Sequence, residues 1–278
     1  MDFNRLKKTF VWIAANEYKG TIRTMVGLTL GLTFLYCIQL GLDLNIYMGE
    51  TWEQAKMTYV WTNTIIVFSI FLIFSIAYIA KDLRTNDGRV MTLMLPANNI
   101  EKYLARFVWI TVSSVVTCIV AFVCADILRI LLSYAFGWII HSSLVWNVVS
   151  NGFYYSPSFE DNIPYLVVLQ VFLMPLWVHS FYTLGGTFFR RQPLLLTTVT
   201  LFALSTLFGI IMGTVATHMP SSWMELFARW LGTNIEAGNE LPMLIIIVPT
   251  LTFIIFNYWA SYKLYCRIQV ISNKWFNL

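Results

Sequence analysis

Charge is what this sequence has least of. Only 12% of its 278 residues are Asp, Glu, Lys or Arg, about half the share found in a soluble globular domain. Hydrophobic residues make up 58%, more apolar surface than a water-soluble fold of this length can bury. The formal net charge is only +4, with no basic stripe to grip a phosphate backbone, so nucleic-acid binding has no support. Four cysteines, Cys37, Cys118, Cys124 and Cys266, lie in or beside apolar runs without paired spacing. That argues against a disulfide framework or a zinc site and leaves them as small packing residues.

Signatures of catalysis are equally scarce. No G-x-x-x-x-G-K-[ST] run occurs, so the chain lacks the phosphate cradle and lysine of a P-loop ATPase, and any ATP must be bound by another polypeptide. His141, His179 and His218 are isolated, and there is no H-E-x-x-H, no G-x-S-x-G and no pair of glutamates. An intramembrane enzyme is therefore disfavoured, and no metal or cofactor site is expected.

What is present is a series of long hydrophobic runs, at about 24–42, 60–80, 107–130, 165–186, 194–214 and 243–262. As helix, each is about 30 Å long, enough to cross the hydrocarbon core of a bilayer. Helices are required because open strands would leave backbone groups unpaired in lipid, and the runs lack the alternation of a barrel strand. The predicted fold class is all-α, a single polytopic domain over 1–278 with six spans.

Ahead of the first run, Phe3, Leu6, Phe10 and Ile13 recur at helical spacing with Arg5 and Lys8 opposite, although Trp12 and Glu17 spoil the pattern. Residues 3–22 thus predict an interfacial amphipathic helix. The first long apolar run begins too late for a secretory signal, so an uncleaved N-terminus is expected. Two outer segments, 131–164 and 215–242, are rich in aromatic residues, and Pro220-Ser221-Ser222 before Trp223–Leu231 predicts a short capped helix.

Lys and Arg set the orientation. Fifteen of the eighteen fall before the first span, in 81–106, in 187–193 and after 262; three fall elsewhere. The positive-inside rule then places both termini in the cytoplasm, in agreement with an even number of spans.

The most informative segment is the inner loop 81–106. Asn86-Asp87-Gly88 predicts a turn, followed by an apolar stretch that Pro96 stops. Asn98 with Glu101 three residues later forms an Asn version of the capping box, starting the helix that becomes the third span. The loop is expected to be an ordered helical elbow.

This layout resembles the permease subunits of ABC-2-type ABC transporters, which carry an acidic residue and glycine at a turn, an apolar stretch, Leu-Pro, a polar pair and a Glu between spans two and three. Asp87, Gly88, Leu93, Leu95, Pro96, Asn98 and Glu101 occupy those places. The resemblance implies a cytoplasmic-membrane protein that moves an amphipathic or hydrophobic substrate outward by alternating access. It also implies a separate cytoplasmic ABC ATPase subunit that binds the ATP and Mg, and a second permease copy or sibling permease. In such permeases the ATPase docks on this loop, which makes Arg84, Arg89, Leu95, Pro96, Glu101 and Lys102 candidate contacts. The alternative for Arg84, Arg89, Lys102 and Arg106 is a topology-setting role near anionic headgroups.

Three further features stand out inside the spans. Gly27 to Gly31 and Gly209 to Gly213 form G-x-x-x-G patterns that let helix backbones approach, either within the chain or against a second copy. Asp126 and Arg129, three apart near the outer end of the third span, have the spacing of an ion pair on one helix face. His179, beside Pro175 in the fourth span, reads as a packing histidine with its polar groups satisfied, or else as part of a path. The rival to a transporter is a membrane scaffold or immunity-type protein that binds partners or peptides without moving them.

Overall fold

The structure is a computed structural model that describes residues 2–41, 52–137, 143–146, 165–220 and 241–267, together with Ser222, Trp223, Glu225, Leu226, Arg229, Trp230 and Thr233. Among these the fold is helical throughout, with no β-strand, as the unbroken apolar runs require. The longer helices among the described residues are, in order, α1 (Phe3–Gly41), α2 (Trp52–Ala77), α3 (Asn86–Met94), α4 (Asn99–Phe136), α5 (Tyr165–Phe188), α6 (Pro193–His218) and α7 (Leu241–Cys266). Among the described residues, five helical segments are long and apolar enough to cross a membrane: Phe3–Gln39, Val60–Leu83, Asn99–Phe136, Pro193–His218 and Leu244–Cys266. The predicted run at 165–186 forms α5, a helix of 24 residues.

The expected boundary between an interfacial helix at 3–22 and a span from 24 is not seen, because α1 is one unbroken helix of 39 residues. No proline interrupts it, and a lone Gly20 costs too little to break a helix of that length. At about 1.5 Å per residue α1 is about 58 Å long, roughly twice the hydrocarbon thickness, so its charged N-terminal half extends past the apolar segment. α4, with 38 residues, is built the same way and ends at Gly137, whose positive φ of 68° suits the left-handed residue that closes a helix. Beyond α6, each described residue from Ser222 to Thr233 is helical, in the place where the sequence predicts a short outer helix.

By contact the chain divides into two compact units, residues 1–75 with 104–159 and residues 76–103 with 160–278. In the first, Leu32, Tyr36, Val60, Ala121, Ala125 and Leu144 form the core. Ala121 and Ala125, one turn apart on α4, make room for Tyr36, whose hydroxyl meets Thr64 Oγ1 at 3.0 Å. Phe122 packs at a tilt against Trp61 and edge-on against Phe68.

In the second unit α5 packs mainly on α7 and then on α6, around Leu166, Leu173, Ile247 and Ile254. Lipid gives apolar helices no hydrophobic reason to associate, so close packing and interhelical hydrogen bonds must do it. Both are present. A Cβ on Gly186 would lie 2.6 Å from the Ala77 carbonyl oxygen, and one on Gly185 would overlap Thr197. A polar seam joins α5 to α7: Asn257 Nδ2 donates to Ser180 Oγ (3.1 Å), Thr187 Oγ1 to Ser261 Oγ (3.2 Å) and Ser261 Oγ to the Thr183 carbonyl (3.3 Å). Ser180, Thr183, Thr187 and Ser261 are all fully buried.

Candidate functional site

The elbow at 81–106 is built in three steps, all but its last residues within the second unit. A 3-10 turn at Lys81–Arg84 leads to Thr85, which is extended (φ −89°, ψ 150°) and caps α3 by accepting the Gly88 N–H on its Oγ1 at 3.2 Å. Asn86-Asp87-Gly88 is therefore the first turn of α3 and not the loop turn that its composition predicts. Thr85 supplies the N-cap, and Asp87 is placed favourably at the positive end of the helix dipole. Glycine is required at 88 because a Cβ there would run into the Asp82 carbonyl of the preceding turn.

The second step ends α3. Leu95 is extended (φ −61°, ψ 128°), the conformation that a following proline imposes on its neighbour. The third step starts α4: the Asn98 N–H donates to Glu101 Oε2 at 3.0 Å, which is the glutamate arm of the predicted capping box. Glu101 is wholly buried, whereas Asn98 is exposed. The glutamate is thus the member of the box that the fold encloses.

Placed on this frame, the candidate residues separate into two groups. Arg89, Glu101 and Lys102 are buried; Asp87, Pro96 and Asn98 are exposed; Gly88 and Leu95 are half-buried. The Arg84 side chain lies outside the described set. Arg89 turns inward toward the α5–α6 link, and Arg190 there has its pKa lowered by burial and by the charges of Arg89 and Arg191. The outward face of α3 carries Val90, Met91 and Met94, exposed at 45, 62 and 78%. These three apolar side chains were missed by the sequence reading, which weighed charge and turn residues and had no burial pattern to show which face of a nine-residue helix is free.

Tyr103, also missed, ties the elbow to the bundle. Its hydroxyl meets Ser261 Oγ at 3.1 Å, and its ring packs edge-on against Tyr262 and Tyr265 of α7. Ser261 thus connects α4, α5 and α7 in one hydrogen-bonded node.

The remaining candidates stand apart from the elbow. Asp126 and Arg129 pair as their spacing predicts: Arg129 Nη2 and Nε donate to Asp126 Oδ1 at 2.8 and 3.1 Å, with both side chains 2% exposed. The other Asp126 oxygen accepts from Ser143 Oγ (2.6 Å) and the Val145 N–H (3.2 Å), anchoring the segment that inserts Leu144 into the core. His179 Nδ1 meets the Tyr258 hydroxyl at 2.8 Å, a contact within the α5–α7 seam. At Gly27, Gly31, Gly209 and Gly213 nothing lies within 4 Å of where a Cβ would stand. Among the described residues of the spans, Gly186 lets its helix meet the backbone at Ala77, and Gly185 makes room for the Thr197 side chain.

Among the described residues no group of His, Cys, Asp and Glu is placed to hold a metal ion. The five long apolar helices, whose large hydrophobic side chains point outward along most of their length, define a multi-pass helical membrane protein. Comparison with known protein families, curated proteins and solved structures finds no match.

Proposed function

We propose that the chain is the permease subunit of an ATP-driven exporter, forming the path for an amphipathic or hydrophobic substrate and docking a separate ABC ATPase on its elbow. The observation that carries this reading is α3. It is a short helix outside the apolar runs, held by a cap at its start and a Leu-Pro stop at its end, with its cationic side inward and Val90, Met91 and Met94 exposed. An apolar face of that kind on a polar segment fits a groove on a partner protein. The order of residues from Asp87 to Glu101 resembles the docking loop of ABC-2-type permeases and supports the same reading.

In this proposal α5 also crosses the membrane, as the fourth of six spans, its 24 residues reaching about 36 Å. Both termini face the cytoplasm, in line with the Lys and Arg distribution, and the protein resides in the cytoplasmic membrane. A second permease copy or sibling completes the transporter, and Gly27, Gly31, Gly209 and Gly213 are open to it. Affinity purification of the tagged chain from its native membrane is the test. Recovery of a P-loop ATPase that is lost when Met91 and Met94 are both changed to Asp is the expected result. Recovery of other partners with no ATPase would overturn the proposal in favour of a scaffold.

A further inference from the structure

Glu17 is the charge that interrupts the amphipathic pattern of the N-terminal segment, and the elbow does not account for it. In the structure it is nearly enclosed, with 11% of its side chain exposed, and its two oxygens are both used. Oε1 accepts from Arg106 Nη2 at 2.9 Å and Oε2 accepts from Trp109 Nε1 at 3.0 Å. Arg106 is itself buried, at 3% exposure. Two turns nearer the N-terminus, Phe10 packs edge-on against the same Trp109, with ring centroids 5.7 Å apart.

The arrangement fixes more than distance. Arg106 and Trp109 are three apart and so share one face of α4. A carboxylate bonded to both resists rotation of one helix against the other as well as sliding, and the Phe10 contact adds a third point along α1. A slip of one turn would leave a buried guanidinium and a carboxylate without each other, the costliest way to break such a pair.

We propose that Glu17 is a positioning residue that makes α1 and α4 move as one lever, so that force applied at the elbow reaches α1. The inference rests on the elbow being the site where the ATPase docks. Along α4 the clamp begins five residues after Glu101, about 8 Å of helix, with no break between them. From Glu17 to Gly41 α1 is likewise continuous. A displacement of the start of α4 is therefore carried into the apolar half of α1, residues 24–41, without an intervening loop to absorb it.

The test uses Glu17→Ala, the milder Glu17→Gln and Trp109→Phe, which keeps the ring against Phe10 but loses the indole N–H. Two readouts are taken on monodisperse protein in nanodiscs. Hydrogen exchange at residues 86–98 should speed up by about fivefold or more in Glu17→Ala, because the elbow loses its brace. The acceleration of ATP hydrolysis when the copurified ATPase binds the permease should fall by about fivefold or more, with binding of the ATPase unchanged. Glu17→Gln and Trp109→Phe should lie between it and wild type. Exchange altered only at 10–21 and 104–112, or an unaltered acceleration of the ATPase, overturns the lever and leaves Glu17 a local contact. A wild-type chain that recruits no ATPase overturns the docking reading instead, while hydrogen exchange still decides whether the two helices act as one.

Discussion

Asp126 and Arg129 illustrate how a charge is tolerated inside an apolar helix. Each is almost fully buried, and the cost of removing two ions from water is offset by two mutual bonds and by the Ser143 and Val145 donors. Breaking the pair from one side leaves the other charge uncompensated. Asp126→Ala or Arg129→Ala should each destabilise the fold by about 3–5 kcal/mol, and the double change to Asp126→Leu with Arg129→Met should cost less than either. Thermal unfolding in detergent of the three variants checks this; costs that simply add would refute the pairing. The glycines make a second contrast at the same scale. Gly186→Ala places a methyl 2.6 Å from the Ala77 carbonyl oxygen and should cost about 1–3 kcal/mol by overpacking. Gly27→Ala and Gly209→Ala meet open space and should leave the fold as it is.

At the scale of elements, the elbow is a joint made by a proline and a glutamate. Pro96 sets the direction of the chain and Glu101 ties the Asn98 N–H to the first turn of α4. Since the glutamate is buried and supplies the observed bond, Glu101→Ala should fray residues 98–104 at a cost of about 1 kcal/mol or more, and Asn98→Ala should do much less. Amide exchange at those residues separates the two, and equal fraying in both would show that the asparagine side chain shares the cap. The α5–α7 seam has a comparable weak point. Ser261 takes part in bonds to Tyr103, Thr187 and Thr183, each worth about 0.6 kcal/mol in a membrane interior. Ser261→Ala should therefore cost about 1–2 kcal/mol and loosen the start of α4 together with α7, a pairing detectable as parallel rises in exchange at 99–104 and 257–265.

For the whole molecule the decisive measurement is topology. Gly88 is a poor site for a probe because any side chain there collides with the Asp82 carbonyl, whereas Met91 is exposed on α3. A cysteine at 91, in a background with the four native cysteines replaced, should be modified by an impermeant reagent in inverted vesicles and protected in sealed cells. The reverse pattern would place the elbow outside, where no cytoplasmic ATPase could reach it, and would end the transporter proposal with it.

The sequence by itself determined that the chain is helical and lives in a membrane. Both follow from composition and run length, because lipid leaves the backbone no partner but its own helix. It also marked the elbow, since proline and a spaced glutamate act over three or four neighbouring residues, and the Asp126–Arg129 pair, since both members sit on one helix. What the tertiary structure decided are the matters that depend on a second helix. It decided that Gly185 and Gly186, not the G-x-x-x-G patterns, make the close contacts within the chain, one with the Thr197 side chain and one with the Ala77 backbone, because close approach depends on what stands opposite a glycine and not on its spacing. It turned Arg89 inward and Met91 and Met94 outward, since a nine-residue helix can show an apolar face in its sequence without showing whether that face meets the rest of the chain. It gave Glu17 its partners on α4, about ninety residues away in sequence, where no local pattern reaches and only packing can choose.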